Sequence, residues 1–464
     1  MASKIFYSTK ERKKVVVVAM KSHLRGRIRR TVSAYLEQGA HVDVLALASG
    51  DDFLVGFKHE NLNVYGIEVR SGFAGVERGL NKVVRKLASK TRQITDLVAR
   101  HPRNRPPAGT LSPPGQSSSE ITDEITGEGK KQPSDPTVRK LFRQAFLPLH
   151  RVSRWLDFWI QTRRQIMNLR PDVIASSDFP GLVGASLASA KLGVFHFHDC
   201  HELYLESTNL TALERRIFRG VERRFIRRAD AVFMVNESIK EEHKRRYSID
   251  GVVIRNCAET AGSESGPSLY ALGQIPSGAK IVLYQGGFLK GRGLETLIES
   301  TVYLPESTYL VMLGYGPLRA ELEQLASDLG VQNLVRFLDA VPPRQLLSTS
   351  STASVGVVPY QPVSLNNNLA LPNKVFEYTA VGLPVVVADL PELARIAKTG
   401  AGITYDPFDP ADLGRAIRKI LLPENLSAAR TSSTSWGSMN NWETEKERLF
   451  DVWRTYLSSD QDSR

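Results

Sequence analysis

The chain has 464 residues, 24% of them charged and 42% apolar, a composition that suits a globular protein of two or three domains and rules out a collagen-like or low-complexity chain. Its formal net charge of +12 is uneven, because residues 1–255 hold 44 Lys and Arg against 27 Asp and Glu while the remainder holds 17 against 22. Two cysteines, Cys200 and Cys257, are too few for a disulfide framework, and no apolar run approaches a membrane span.

A reducing, cytoplasmic setting is therefore expected, and MASKIFYSTKERKK lacks the apolar stretch of a secretory signal. The basic front half suits an anionic membrane or a phosphorylated lipid. Nucleic acid is not expected as a partner, since the chain has no zinc-ligand spacing, RNA-binding aromatic signature or basic zipper.

In chain order, the β-branched run KVVVVAM (14–20) leads through the arginine-dense MKSHLRGRIRR (20–30) into a helix expected over Ile28–Gln38, then HVDVLAL (41–47). Residues 101–138 are rich in Pro, Gly, Ser and charge, and read as a disordered insertion. Residues 140–164 place Phe142, Phe146, Leu149, Val152 and Trp159 at helical spacing between arginines, with Pro148 expected to start or kink the helix. This is either an interfacial membrane anchor or a helix packed on its own domain. PDVIASS, a small-residue helix over Gly181–Lys191, VFHFHD and DAVFMVN continue the alternation. A second series runs from KIVLYQGG (280–287) through TYLVMLGYG, NLVRFLD, ASVGVVPY and LPVVVAD. Buried strands alternating with helices predict an α/β chain of two Rossmann-like domains, 1–255 and 256–430, with a helical segment 431–464 that returns towards the first.

Three stretches carry chemistry. YQGGFLKGRGLETLI (284–298) is a strand, a glycine turn and a helix, with Gly286, Gly287, Lys290 and Arg292 placed to receive a diphosphate or simply to make a tight connection. It is neither the in-register G-x-G-x-x-G of a nicotinamide site nor a Walker loop. LVMLGYGP (310–317) repeats the idea with Gly314 and Gly316. LPNKVFEYTAVGLPVVV (371–387) sets Asn373, Lys374 and Glu377 at the start of a helix, with Lys374 and Glu377 on one side of it, as a ligand contact or an ordinary ion pair. In HDCHELYLES (198–207), Asp199 and His201 follow a strand, as site residues or as part of a core and loop histidine group with His196 and His198.

Their order and spacing resemble the family 4 glycosyltransferases, retaining enzymes of the GT-B fold, over most of residues 280–396, with weaker support from HDCHELYLES. The resemblance implies a sugar transferred with retention from a nucleotide-sugar to a cell-envelope glycan, polysaccharide-precursor or lipid-linked acceptor, with no cofactor and no metal. It implies Glu377 at the nucleotide ribose, Arg292 at the diphosphate, Gly316 beside the nucleoside and His201 near the reacting centre. It places the turn after the first strand, with Arg25, Gly26 and Arg27, on the acceptor side of the cleft. The family's second, sugar-orienting Glu is absent, its position being Leu369, as in a sub-branch carrying Pro-Asn-Lys before Phe-Glu-Tyr. A catalytically inactive nucleotide-sugar-binding or scaffold protein is the other reading.

Overall fold

The structure is a computed structural model that describes residues 13–20, 26–47, 57–69, 136–207, 210–259 and 263–459. The chain forms two compact units, one of residues 1–68 with 159–464 and the other of residues 69–158. Both sheets belong to the first unit. Most of the insertion expected over 101–138 lies outside the described residues, but its last three residues are helical. The expected 140–164 helix begins earlier, spanning Pro136–Leu169, and so starts before Pro148 rather than at it.

The first sheet contains β1 (Lys14–Val18), β2 (His41–Ala46), β3 (Leu62–Gly66), β4 (Val173–Ser177), β5 (Phe195–Cys200), β6 (Ala231–Met234) and β7 (Val252–Val253). The second contains β8 (Lys280–Gln285), β9 (Thr308–Leu313), β10 (Val335–Leu338), β11 (Val355–Val358), β12 (Val385–Ala388) and β13 (Gly402–Tyr405). The orders are β3-β2-β1-β4-β5-β6-β7 and β10-β9-β8-β11-β12-β13, with every pair parallel. Central strands such as β4 and β12 are buried along their whole length, as helices on both faces require. In each sheet the order reverses once, between β1 and β4 and between β8 and β11. Ligands of such sheets sit outside the carboxyl ends of the strands at that reversal.

Helix ends are fixed by local chemistry. Thr211 and Glu214 make a reciprocal capping box at the start of helix Ala212–Ile226. Asn236 caps helix Glu237–Tyr247 through the Ile239 N–H.

Helix Trp442–Ser459 packs on the first sheet. Trp453 is fully buried, its ring 4.7 Å from Tyr35 and 4.6 Å from Phe197, and Leu449, Phe450 and Leu457 join the same core. Side chains also tie the two sheets' surroundings together. Buried Glu392 accepts from the Ser238 N–H at 2.9 Å and hydroxyl at 2.6 Å. Glu445 accepts from the Arg255 N–H at 2.9 Å, and the Asn236 amide donates to the Leu369 carbonyl at 2.8 Å.

Candidate active site

The second sheet supplies a cluster of turns shaped by backbone. β8 ends at Gln285 and the chain turns through Gly286 and Gly287. Gly314, at the end of β9, has φ +153°, and a Cβ there would lie 2.1 Å from the Gly286 carbonyl oxygen, so only glycine lets the two turns touch. Gly316 packs in the same way on Phe288. Gly293 has φ +63° and sits against the Pro359 carbonyl, where a Cβ would be 1.9 Å away.

Helix Asn373–Ala380 then brings its first turn over Gly286. The Lys374 ammonium is 4.0 Å from the centre of the Tyr284 ring and 5.4 Å from that of Tyr360. It lies 3.4 Å from where a Cβ on Gly286 would stand. The Arg292 guanidinium covers the other part of Tyr360 at 4.2 Å. Burial pulls the Lys374 pKa down to about 7, with Arg292 adding to the effect and Glu377 opposing it. Burial also lowers the Arg292 pKa. Two cations share the Tyr360 ring above a glycine turn, with Glu377 and Glu202 offsetting their charge only in part, which favours an anion between them.

One turn along the helix, Glu377 accepts from the Gln285 amide at 2.5 Å. Burial raises its pKa, against the pull of Gln285 and Lys374. Asn373 is exposed and accepts from Asn256 at 2.6 Å. Arg30 donates to the same Asn256, and its pKa is lowered, by burial foremost. The structure therefore brings together Gly286, Arg292, Lys374 and Glu377, with Gly287, Gly314 and Gly316 in the turns around them. Lys290 is exposed in the turn.

The first sheet supplies charges already matched to one another. Arg25 lies outside the described residues. Gly26, φ +56°, opens helix Gly26–Glu37 and has open space where a Cβ would be. Arg27 was expected at the acceptor, but it is only 5% exposed. Its Nε and Nη2 donate to the Asp199 carboxylate at 2.7 Å each, and Nη1 donates to the Ile254 carbonyl at 2.5 Å. Its planar fork is used up in holding Asp199 and the Ile254 carbonyl, which turns the guanidinium into the protein. Asp199 lies on β5 rather than after it. Burial would raise its pKa, but Arg27 and His201 outweigh burial and hold the carboxyl far below its usual range.

His201 presents Nε2 to Asp199 at 3.1 Å and Nδ1 to Asp178 at 3.5 Å, while its N–H donates to Asp178 at 3.0 Å. Burial works against the charged ring, but the two carboxylates prevail and raise its pKa. Both ring nitrogens thus face acids. His196 and His198 are core residues, each bonded to the Ser176 hydroxyl at 2.7 and 2.8 Å.

Several cleft residues were not legible beforehand. Asn366 joins the halves: its carbonyl oxygen accepts from the Leu203 N–H at 2.9 Å and its amide donates to Glu202 at 3.1 Å. Tyr284, Tyr360 and Gln285 orient the buried charges. The run of three asparagines at 366–368 was the one visible signal for Asn366; the tyrosines looked like ordinary strand residues.

Two Rossmann-like sheets meeting at paired carboxyl-end clefts define a GT-B fold. Residues 272–434 match the family model described as "Glycosyl transferases group 1", and residues 73–261 match "Glycosyltransferase Family 4", so the chain carries a domain of each. The D-inositol 3-phosphate glycosyltransferase of Corynebacterium urealyticum is 28% identical over 197 residues, 40% of this chain and 45% of that protein. The lipopolysaccharide core biosynthesis glycosyltransferase LpsE of Rhizobium meliloti is 31% identical over 191 residues, 40% of this chain and 51% of that protein. The match thus spans about half the length of these relatives. Among solved structures, Anabaena HepE in complex with UDP superposes with a TM-score of 0.64 at 13% identity, over 95% of this chain and 100% of that one.

Proposed function

We propose that the chain transfers a sugar, with retention, from a nucleotide-sugar to a glycan or lipid-linked acceptor at the cytoplasmic face of a membrane. One observation carries this reading: buried Lys374 and half-buried Arg292 meet on the Tyr360 ring beside the Gly286 turn, with the Glu377 carboxylate one helical turn from Lys374. A nucleoside diphosphate fits that arrangement, its charge between the cations and its ribose hydroxyls donating to Glu377. The solved neighbour bound to UDP supports the same class of ligand, and the names of the two relatives support a cyclitol-phosphate or envelope-glycan acceptor.

The reaction breaks the bond between the anomeric carbon and the diphosphate oxygen, leaving negative charge on the diphosphate. Lys374 and Arg292 stabilise that charge as it develops, in a site where burial makes each interaction worth more than in water. With two cations already there, the leaving group does not need a metal. The acceptor hydroxyl replaces the leaving group on the same face of the sugar and gives its proton to the departing diphosphate. On the opposite wall, Arg27 fixes Asp199, and Asp199 with Asp178 fixes the His201 ring, which lines the sugar and acceptor side. Gly26 opens the backbone there to the acceptor.

The test is a thermal-shift and turnover screen of the whole chain against UDP-, GDP- and ADP-sugars. A donor is expected to raise Tm and to be hydrolysed slowly without acceptor. No shift and no turnover with any of them overturns the reading. A shift without turnover across an acceptor panel favours the donor-binding scaffold instead.

A further inference from the structure

Helix Ala212–Ile226 and the two residues after it read ALERRIFRGVERRFIRR, with seven arginines and two acids. The acids are turned inward. Glu214 is spent on Thr211, and Glu222 accepts from the Tyr247 hydroxyl. Arg215 and Arg219 bend to Glu206, at 3.6 and 2.5 Å. What remains outward is Leu213, 68% exposed, and Ile217, 56% exposed, with Arg216, Arg223, Arg224, Arg227 and Arg228. Positions 213, 217, 220 and 224 fall at intervals of three or four, so Leu213 and Ile217 share one stripe with the arginines beside and beyond them. Phe218 does not share the stripe, being buried against Phe179 at 5.7 Å, and the half-buried Phe225 ring is covered by Arg228 at 5.3 Å.

A second helix repeats the pattern beside it. From Trp159 onward, helix Pro136–Leu169 packs on helix Asp178–Leu192, where a Cβ on Gly184 would lie 2.8 Å from the Trp159 carbonyl. Trp159 meets Phe179 edge-on at 5.7 Å and donates to the Pro180 carbonyl at 2.9 Å. Ile160 is 56% exposed, with exposed Arg163 and Arg164 one turn on. Both helices thus converge on Phe179.

We infer that the outer face of helix Ala212–Ile226, with Ile160, Arg163 and Arg164 alongside, is the surface by which the protein docks on an anionic lipid bilayer. This deepens the membrane contact proposed above and rests on that reading. The chemistry favours lipid over other anionic partners. Leu213 and Ile217 are aliphatic and suit the boundary between headgroups and acyl chains, where a helix lying in the plane buries its apolar side. They offer no flat ring on which a base can stack, as single-stranded nucleic acid requires. The arginines supply the long-range attraction that lipids of negative headgroup charge reward. The docking element is a fold-held helix of the described sheet domain, joined by the last turns of the 140–164 stretch.

The test is flotation of the whole chain with vesicles of phosphatidylcholine alone and of phosphatidylcholine mixed equally with phosphatidylglycerol. The native chain is expected to float with the mixed vesicles, to stay behind with the neutral ones, and to be released by salt. The triple variant Arg216→Gln, Arg223→Gln, Arg224→Gln is expected to partition about a hundredfold more weakly, at roughly fivefold per charge. Leu213→Ser with Ile217→Ser is expected to weaken binding as well, and to make what is left fully salt-sensitive. These side chains are exposed, so all variants should keep the native Tm and the donor-induced thermal shift. If both variants float like the native chain, the docking face is elsewhere, while the membrane reading stands. If the native chain ignores mixed vesicles, or binds RNA instead, both the surface and the membrane reading fall.

Discussion

The two sheets share one strand order but solve the problem of a charged ligand in opposite ways. The second matches its cations only in part: Lys374 and Arg292 sit on aromatic rings beside glycine turns, with Glu377 and Glu202 acting on them through space. The first matches the charges at its strand ends, with Arg27 clasping Asp199 and His201 lying between Asp199 and Asp178. A partly matched cluster waits for a ligand that carries charge. A matched one gains little from charge and instead holds shape. The same topology thus yields a binding half and a framing half, and the difference lies in whether buried charges are neutralised by the protein or by its substrate.

The comparison breaks most visibly at Arg27. Arg27→Met strands the Asp199 carboxylate and is expected to cost about 3–5 kcal/mol. Differential scanning calorimetry should show a lower Tm, while the thermal shift from the donor remains. A Tm unchanged from the native chain would mean that the first site is not a framing network. Next in size is Glu377→Ala, which removes the acceptor of charge-assisted hydrogen bonds. About 1.5–3 kcal/mol of donor binding should go, roughly 10- to 150-fold, read by titration calorimetry, with little loss of stability.

Lys374 sharpens the contrast through pH. Its folded pKa is depressed to about 7, against about 10.4 in an unfolded chain. Between those values the unfolded chain holds more protons, so stability rises with pH across that window, by at most about 1.4 kcal/mol per unit. Below pH 7 the full penalty of the buried charge is present. Lys374→Met should abolish that slope in Tm against pH, and weaken the donor at the same time. Donor binding at pH 8 should take up a proton, visible as a dependence of calorimetric heat on the buffer. His201 has the opposite sign. Its pKa is raised, so its contribution is full below about pH 6.5 and is lost as pH rises through the folded value. The smallest expected effect is Asn366→Ala, about 1 kcal/mol at the join of the halves. It should appear in donor KM more than in Tm.

Both sheets were legible because buried parallel strands write themselves as runs such as VVVV and VGVV, and glycines mark the turns between them. The charged cluster at the second sheet was legible for the same reason: it is built from local pieces, a strand, a turn and a helix start, each contained in one stretch. The framing half was not. Arg27 and Asp199 are 172 positions apart, and no local pattern says that one will clasp the other. An arginine in an open turn reads as available for phosphate, whereas the fold buries it. Glu202 and Asn366 are likewise partners only once two domains have met.

Trp453 closes the core around Tyr35 and Phe197 from the far end of the chain. On a ribosome adding roughly 5–20 residues per second, that ring emerges on the order of 20–80 seconds after Tyr35. The first sheet must pass this interval with an apolar face uncovered. The first sheet, although its strands are made first, is therefore completed last, and the nascent chain passes through a stage in which the strands of the second sheet have all emerged while the first is still open to chaperones.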